Sequence, residues 1–150
     1  MKKIFVFLCV MVFMAGVAQA QDRGTAKEAQ AMVKKAAAYV KEVGKDKAMA
    51  EFNNPKGKFI YKDLYIFAGT ADNMVTLAHP ITPALIGKSM ITLKDADGKL
   101  FLKEAVEKAK KDGSGTVTYR WSHPKTKKVE KKATYFELVD GVIVYCGYYM

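Results

Sequence analysis

The sequence predicts an α+β domain in which a long N-terminal helix packs on an antiparallel sheet of about five strands. Apolar residues recur every three or four positions from Thr25 to Val43, the spacing of one helix face. Larger apolar side chains alternate with smaller or polar ones from Thr116 to Trp121, as in a strand with one buried face. Asp140-Gly141 separates two β-rich runs and is a strong hairpin turn.

The first third of the domain is predicted to be helical. Gly44 ends or kinks the long helix, and a second short helix is expected from Asp46 to Phe52, with Asp46 as its N-cap and Asn53-Asn54-Pro55 as its stop. The residues that form the buried face of the long helix are Ala29, Met32, Ala36, Val40 and Val43.

A hairpin and a long loop follow. Leu64 to Ala68 and Met74 to Ala78 are short β-rich runs separated by the turn-forming group Gly69 to Asn73. His79-Pro80 closes the hairpin, because the residue before a proline is pushed towards extended geometry. Ile81 to Asp97 has no clean periodicity, so we expect a loop that wraps the sheet with one helical turn near Ala84.

The second half predicts one more helix and three strands. Leu100 to Lys111 is amphipathic, with Gly113 as its cap residue. Val117, Tyr119 and Trp121 share one face of the strand that follows. A loop is then expected from His123 to Lys128, followed by a strand near Lys131 to Leu138. After the Asp140-Gly141 turn, the last strand runs from Val142 to Tyr149.

Residues 1–20 have the three parts of a secretory signal peptide. Lys2-Lys3 is the basic start, Ile4 to Val17 is apolar, and Ala18-Gln19-Ala20 is the small-x-small end, so we expect cleavage after Ala20 and a periplasmic product. The apolar stretch of about 14 residues is shorter than the ~20 that cross a bilayer, which disfavours an uncleaved anchor. No second apolar segment precedes Met150, so we expect residues 21–150 to form one domain that acts as a soluble binding protein or through a partner.

Net charge and cysteine content limit the partners that the protein can have and the way in which it is stabilised. The formal net charge is +10, but export makes nucleic acid an improbable partner. The lysines either attract anions or are solvated on helix faces, and charge alone does not decide between these. After cleavage Cys146 is the one remaining cysteine, so the domain has no internal disulfide and depends on its hydrophobic core. Because it lies in an alternating apolar strand, we expect a buried and inert thiol.

The residue patterns predict neither a metal site nor an enzyme. Asp95-Ala96-Asp97-Gly98 partly resembles a calcium loop, but Leu93 takes the first ligand position and supplies no oxygen. His79 and His123 have no carboxylate or cysteine at ligand spacing. No activated nucleophile and no phosphate-binding glycine loop is evident, so no catalytic residue and no cofactor is predicted.

Aromatic residues concentrated in the second half indicate a pocket for a small ligand. Buried Tyr and Trp need partners for their polar ends, and such ends meeting beside a cation suit a ligand site, although filling a core is the alternative. We predict that Lys132 is the cation of this pocket, and the alternative is that Lys132 is simply exposed to solvent. His79 either donates a hydrogen bond to a ligand oxygen or only terminates a strand. The aromatic residues are Tyr119, Trp121, Tyr135, Phe136, Tyr145, Tyr148 and Tyr149.

From about Ala29 to Tyr148 the chain resembles the single-Cache family of extracytoplasmic sensor domains. That family has a PAS-like antiparallel sheet behind a long N-terminal helix, in agreement with the fold predicted above. The turn from Gly69 to Asn73 departs from the resemblance, since it lacks the Asp-Gly of the first hairpin. The matching residues are Phe52 to Phe59, Leu64-Tyr65, Ala78-His79-Pro80, Pro83 to Lys88, Asp97-Gly98, Gly113-Ser114-Gly115, Tyr119-Arg120-Trp121, Pro124-Lys125-Thr126, Lys132 with Tyr135, and Gly147-Tyr148.

The resemblance implies a periplasmic sensing module for a small organic molecule, often a short carboxylate. A membrane receptor or histidine kinase would be its partner in signal transduction or chemotaxis. A ligand-free adaptor for such a receptor is the alternative. The implied site is a pocket walled by Tyr119, Trp121 and Tyr135, with Tyr65 as a further contact and with His79 and Lys132 holding a carboxylate by charge-assisted hydrogen bonds.

Overall fold

The computed structural model describes residues 23–150, and the predicted signal peptide lies outside them. Three helices and six strands of this part of the chain confirm the α+β class, with one strand more than expected. The helices are α1 (Ala26–Val43), α2 (Lys45–Phe52) and α3 (Phe101–Asp112). The strands are β1 (Ile60–Tyr61), β2 (Leu64–Thr70), β3 (Thr76–Ala78), β4 (Ser114–Ser122), β5 (Val129–Val139) and β6 (Val142–Tyr149).

All strand pairs are antiparallel, in the order β1-β2-β6-β5-β4. β1 and β3 both pair with β2, β1 near its start and β3 near its end. The predicted turn between β5 and β6 is confirmed: Asp140 and Gly141 have φ angles of 46° and 77°, as a two-residue hairpin of type I′ requires. These pairings bring β2 next to β6, so the first and last parts of the described chain meet in the centre of the sheet.

Helix α1 covers one face of the sheet, here called the α1 face. The helix begins with a capping box, in which Thr25 accepts from the backbone N–H of Glu28 while the Glu28 side chain accepts from that of Thr25. Val33 and Val40 are buried against β5 and β6. Cys146 is also buried on this face, 3.9 Å from the sulfur of Met32, and burial raises its thiol pKa to about 12. The prediction of a buried thiol is confirmed.

The expected N-cap of the second helix is wrong. Gly44, with φ at 84°, ends α1 by donating its N–H to the carbonyl of Val40 and is also the residue from which α2 starts. Asp46 therefore lies inside the first turn of α2. There its carboxylate interacts favourably with the helix dipole but does not cap the helix. Glycine adopts this positive φ at low cost because it has no Cβ, and the chain can therefore change direction within one residue.

Helix α3 and the loop of residues 81–97 cover the opposite face, here called the cavity face. Phe101, Leu102 and Val106 are buried in α3, and Gly113 closes the helix in the left-handed conformation with φ at 79°. The loop contains one 3₁₀ turn, Pro83–Leu85, as expected near Ala84. The side chains from the sheet that pack on this face include Phe67, Val117, Tyr119, Phe136, Ile143 and Tyr145.

Asp95 ties the end of this loop to β4, the edge strand. Its Oδ1 accepts from the backbone N–H groups of Asp97 and Lys99, and its Oδ2 accepts from that of Arg120. Lys99 also donates to the carbonyl of Thr118, so polar groups on the open edge are occupied. Asp95 thus has a structural role, and within residues 23–150 no group of three or more His, Cys, Asp or Glu side chains is placed to hold a metal.

Candidate ligand cavity on the sheet

A small cavity lies between the cavity face of the sheet, α3 and the loop of residues 81–97. Its volume is about 50 Å³. Most of its wall is apolar, and Tyr65, Thr76, His79 and Trp121 bring polar atoms to it. The remaining lining residues are Phe67, Met74, Leu85, Met90, Leu93, Phe101 and Leu102.

Strand alternation and one bulge select the residues of β2 and β3 that reach the cavity. Tyr65 and Phe67 alternate with residues that pack under α1, so both face the cavity. The register of β2 against β3 shifts between Ala68 and Gly69. On β3, Thr76 consequently lines the cavity while Ala78 packs in the α1 cluster.

His79 follows β3 and lies against two aromatic rings. Its ring centroid is 5.3 Å from that of Tyr65 and 5.6 Å from that of Phe67. His79 Nδ1 accepts the backbone N–H of Thr82 at 3.0 Å, which places the proton of the neutral ring on Nε2. Burial and, next, the positive charge of Lys132 lower its pKa to about 4. At neutral pH His79 is therefore a neutral ring with an Nε2–H donor.

Lys132 is a buried cation without an anionic partner. Its exposed fraction is 3%, and its Nζ lies 5.3 Å from the ring centroid of Tyr65 and 4.9 Å from that of Tyr149. Its side-chain ammonium makes no hydrogen bond and no ion pair with any residue between 23 and 150. Burial lowers its pKa to about 8, against a weaker upward influence from Cys146 and Asp63. The ammonium is consequently charged at neutral pH and lies next to the ring of Tyr65, which lines the cavity, whereas Lys132 itself is not one of the lining residues.

Tyr119 and Trp121 lie on the cavity face of β4, as their alternation predicts. Trp121 lines the cavity and packs edge-on against Phe101, with ring centroids 5.6 Å apart. Tyr119 is buried one layer deeper: its ring stacks on Phe101 at 3.9 Å, and its hydroxyl is 2.9 Å from Thr134 Oγ1. Burial raises the pKa of Tyr119, so its hydroxyl stays protonated. Tyr119 thus supports the wall formed by Phe101 and Trp121.

The expected placement of Tyr135 beside the other site residues is wrong. Tyr135 packs on the α1 face, and its hydroxyl donates to Glu137 Oε1 at 2.7 Å. It lies three residues after Lys132 in the same strand, and an odd separation puts two strand residues on opposite faces. The structure therefore brings Tyr65, His79, Tyr119, Trp121 and Lys132 to one side of the sheet and Tyr135 to the other.

Sequence reasoning missed several residues around the cavity. Tyr149 is among the aromatic residues that indicate a pocket but not among the predicted site residues, yet it contacts Lys132, and its position follows from alternation with Tyr145 and Gly147 along β6. Phe67 follows in the same way from Tyr65. Met90 and Leu93 lie in the loop without periodicity, so no pattern in the sequence marks them as cavity residues.

The fold is similar to that of two solved structures. One is a Cache chemosensory domain described for its carboxylic acid recognition; its TM-score is 0.71 at 26% identity, over 83% of this chain and 92% of that chain. Another is a methyl-accepting chemotaxis protein from Vibrio parahaemolyticus, with a TM-score of 0.68 at 22% identity, over 82% of this chain and 86% of that one. The second likeness, at its low identity, concerns the fold.

Sequence comparisons agree with the structural ones. The methyl-accepting chemotaxis protein McpP of Pseudomonas putida is 30% identical over 76 residues, which make up 49% of this chain and 14% of McpP. The chain thus spans a small part of that relative. The profile of single Cache domain 2 matches residues 9–150. The match covers almost the whole sequence, and this chain belongs to the single Cache domain family.

Proposed function

We propose that this chain is a periplasmic sensing or binding module for a short organic carboxylate and has no catalytic role. It would pass its ligand state to a membrane receptor or a histidine kinase in signal transduction or chemotaxis. The observation that carries the proposal is the buried ammonium of Lys132, which has no anionic partner between residues 23 and 150.

A ligand carboxylate would supply the missing counter-charge. A buried charge is costly unless it is paired, and a carboxylate accepting from an ammonium forms a strong charge-assisted hydrogen bond. His79 Nε2–H is a donor whose neighbouring nitrogen is already occupied by Thr82. Tyr65, whose hydroxyl makes no hydrogen bond within the described part of the chain, has its ring near both His79 and Lys132. These three side chains are the proposed carboxylate contacts, with Tyr119 and Trp121 shaping the wall.

The size of the cavity favours a short ligand. A volume of about 50 Å³ is well below the 300–1,000 Å³ typical of sites for drug-sized molecules. The apolar wall of Met90, Leu93 and Leu102 suits a short hydrocarbon chain behind the carboxylate. A ligand with only a few non-hydrogen atoms meets both conditions.

A similar solved structure and the N-terminal sequence also support the proposal. The Cache chemosensory domain with described carboxylic acid recognition shares 26% identity and nearly its whole length with this chain. The signal-peptide pattern of residues 1–20 favours export to the periplasm. No helix within residues 23–150 is long and apolar enough to pass through a bilayer.

The test is a thermal-shift titration of the purified protein with acetate, propionate and butyrate, and with the corresponding amides. A ligand that binds only the folded state stabilises it by RT ln(1 + [L]/Kd), so carboxylates should raise Tm in a saturable way and amides should not. Lys132→Met and Tyr65→Phe should each raise the Kd for the carboxylate about tenfold or more, because each loses one or two hydrogen bonds to a charged group. Equal shifts with acids and amides would contradict the proposal.

Tyr135→Phe is the matched control for Tyr65→Phe. Both variants lose one tyrosine hydroxyl, but Tyr135 lies on the α1 face with Glu137 as its partner. We expect Tyr135→Phe to leave carboxylate affinity unchanged. A loss of affinity equal to that of Tyr65→Phe would remove Tyr65 from the proposed site.

A second candidate function is a ligand-free adaptor for a membrane receptor. The small volume of the cavity favours it, because side chains already occupy most of the space on this face. In that case no carboxylate would shift Tm, and native mass spectrometry would detect no small molecule carried through purification. A saturable carboxylate shift would reject the adaptor.

A further inference from the structure

Thr76 carries a buried hydroxyl on the wall of the cavity that has no hydrogen-bond partner. The residue is 2% exposed, and its Oγ1 is one of four buried side-chain polar atoms without a partner within residues 23–150. Among the other residues that line the cavity, Met74 and Met90 offer only a weakly accepting sulfur, and Leu102 offers no polar atom. An unpaired hydroxyl in such surroundings is costly, and buried polar groups in folded proteins nearly always have partners.

The backbone holds Thr76 in this position. Its N–H donates to the carbonyl of Lys88 at 2.9 Å, and its carbonyl accepts from the N–H of Gly87 at 2.8 Å. Both backbone groups are therefore satisfied, and only the hydroxyl is left over. The register shift opposite Ala68 and Gly69, where Leu77 is the extra residue of β3, turns this side chain towards the cavity. A valine would fill the same volume with no unpaired polar atom, so packing alone does not account for a threonine.

The carboxylate contacts do not use Thr76. Under the proposed function, on which this inference rests, the ligand's carboxylate is held by His79, Tyr65 and Lys132. A simple fatty acid has no other polar atom and would leave the Thr76 hydroxyl unpaired. A ligand with one more oxygen on its carbon chain could pair with it, since a threonine hydroxyl both donates and accepts.

We propose that Thr76 is a specificity-determining residue that selects short carboxylates carrying a second oxygen, as a hydroxyl or oxo group, over unsubstituted acids. A site that hydrogen-bonds a substrate oxygen discriminates strongly against an analogue lacking it, because a buried group is then left unpaired. The preference for the oxygenated acid is expected to be at least tenfold. The contribution comes from one neutral hydrogen bond, so it adds to the carboxylate contacts and does not replace them.

The experiment compares propionate with its 2-hydroxy and 2-oxo counterparts by calorimetric titration of the wild type, Thr76→Val and Thr76→Ser. The wild type should bind at least one oxygenated acid tenfold or more tightly than propionate. Thr76→Val should lose this preference, because its affinity should fall more for the oxygenated acids than for propionate. Thr76→Ser keeps a hydroxyl and should retain most of the preference.

The outcomes separate this inference from the function on which it rests. Propionate bound as tightly as both oxygenated acids by the wild type, or a preference unchanged in Thr76→Val, would overturn the role of Thr76 and leave the carboxylate site standing. No binding of any of the three acids by the wild type would overturn the proposed function as well. Should the valine variant fold poorly, the wild-type comparison can still overturn the inference, because equal binding of the three acids leaves no preference for Thr76 to explain.

Discussion

Gly147 leaves open the space that Lys132 occupies on the cavity face of the sheet. A Cβ added to Gly147 would lie 2.3 Å from Lys132 Cε and 2.9 Å from its Nζ. Antiparallel pairing sets Gly147 opposite Thr134, whose Oγ1 would also be only 2.9 Å from that Cβ. The buried ammonium therefore depends on a glycine in the neighbouring strand, where glycine allows another group to approach the backbone closely.

Gly147→Ala should move the Lys132 side chain and weaken both stability and ligand binding. Overpacking in a close-packed region costs about 1–3 kcal/mol, and the ammonium would leave the position next to Tyr65. Urea unfolding gives the stability change, and a carboxylate titration gives the affinity. Gly115→Ala is the control for affinity, since its Cβ would also overpack, against Lys108 and the Phe136 ring, but would not touch Lys132. Affinity equal in both variants would show that the position of Lys132 does not matter for binding.

Lys132→Met should make the ligand-free protein more stable at neutral pH. The folded pKa of about 8 lies below the ordinary 10.5, so the unfolded chain binds the proton more tightly. Wild-type stability should therefore rise relative to the variant as pH increases from about 8 to 10.5. Over this pH range the free energy of unfolding of the wild type should rise by about 3 kcal/mol relative to that of the variant, because each pKa unit corresponds to about 1.36 kcal/mol.

The measurement for Lys132 is urea unfolding of both proteins at several pH values in carboxylate-free buffer. Other titrating groups, such as Cys146 and the tyrosines, are common to both proteins and cancel in the difference. A variant that is both more stable and unable to bind a carboxylate has lost a functional group. If the stability difference does not change with pH, Lys132 is not a buried cation with a lowered pKa.

His79→Gln should remove part of the loss of stability in acid. The folded pKa of about 4 is below the ordinary 6.5, so between these values the unfolded chain takes up a proton that the folded chain does not. The wild type is therefore expected to lose stability as pH falls from 6.5 to 4, and the variant to lose less. Thermal unfolding of both proteins across this range measures it, and parallel curves would contradict the assignment of His79 as a buried neutral ring.

Asp63 anchors the start of α1. Its Oδ1 accepts the backbone N–H of Gly24 at 2.6 Å, and its Oδ2 lies 3.9 Å from His123 Nε2, with both side chains 4% exposed. Asp63→Ala should lower the free energy of unfolding by about 1–3 kcal/mol, the cost of a lost hydrogen bond to a buried charged group. Hydrogen exchange at Gly24 should also become faster, because its amide loses its acceptor.

Asp97→Ala is the control for Asp63→Ala. Asp97 is exposed, and substitutions at such surface positions usually change stability by less than about 0.5 kcal/mol. Equal effects of the two substitutions in urea unfolding would mean that the Gly24 contact does not hold α1 in place. Faster exchange confined to the Asp63 variant would support it.

Local patterns were sufficient to predict most elements of the fold. The three-to-four spacing before Val43 marked α1, and Asp140-Gly141 marked the last hairpin. These signals work because helix and strand periods, and the positive φ angles of a two-residue turn, depend on neighbouring residues alone. The cap of α2 was misassigned because Gly44 serves two helices, which depends on their relative direction.

The candidate site was only partly predictable for a related reason. Alternation predicted that Tyr119 and Trp121 share a face, and the same rule separates Lys132 from Tyr135. In the basic run from Lys127 to Lys132, only the last lysine is buried. Its burial follows from pairing with β4 and β6, which bring strands from distant parts of the chain onto both of its sides.

The sequence by itself determined the fold class, the main elements and the residue types able to hold a carboxylate. Tertiary structure alone decided that the register shift opposite Ala68 and Gly69 turns Thr76 inward, that the loop of residues 81–97 closes the cavity, and that Gly147 makes room for Lys132. The physical reason is range: periodicity is a property of neighbouring residues, whereas a cavity is formed by side chains from elements that meet only when the whole sheet has paired.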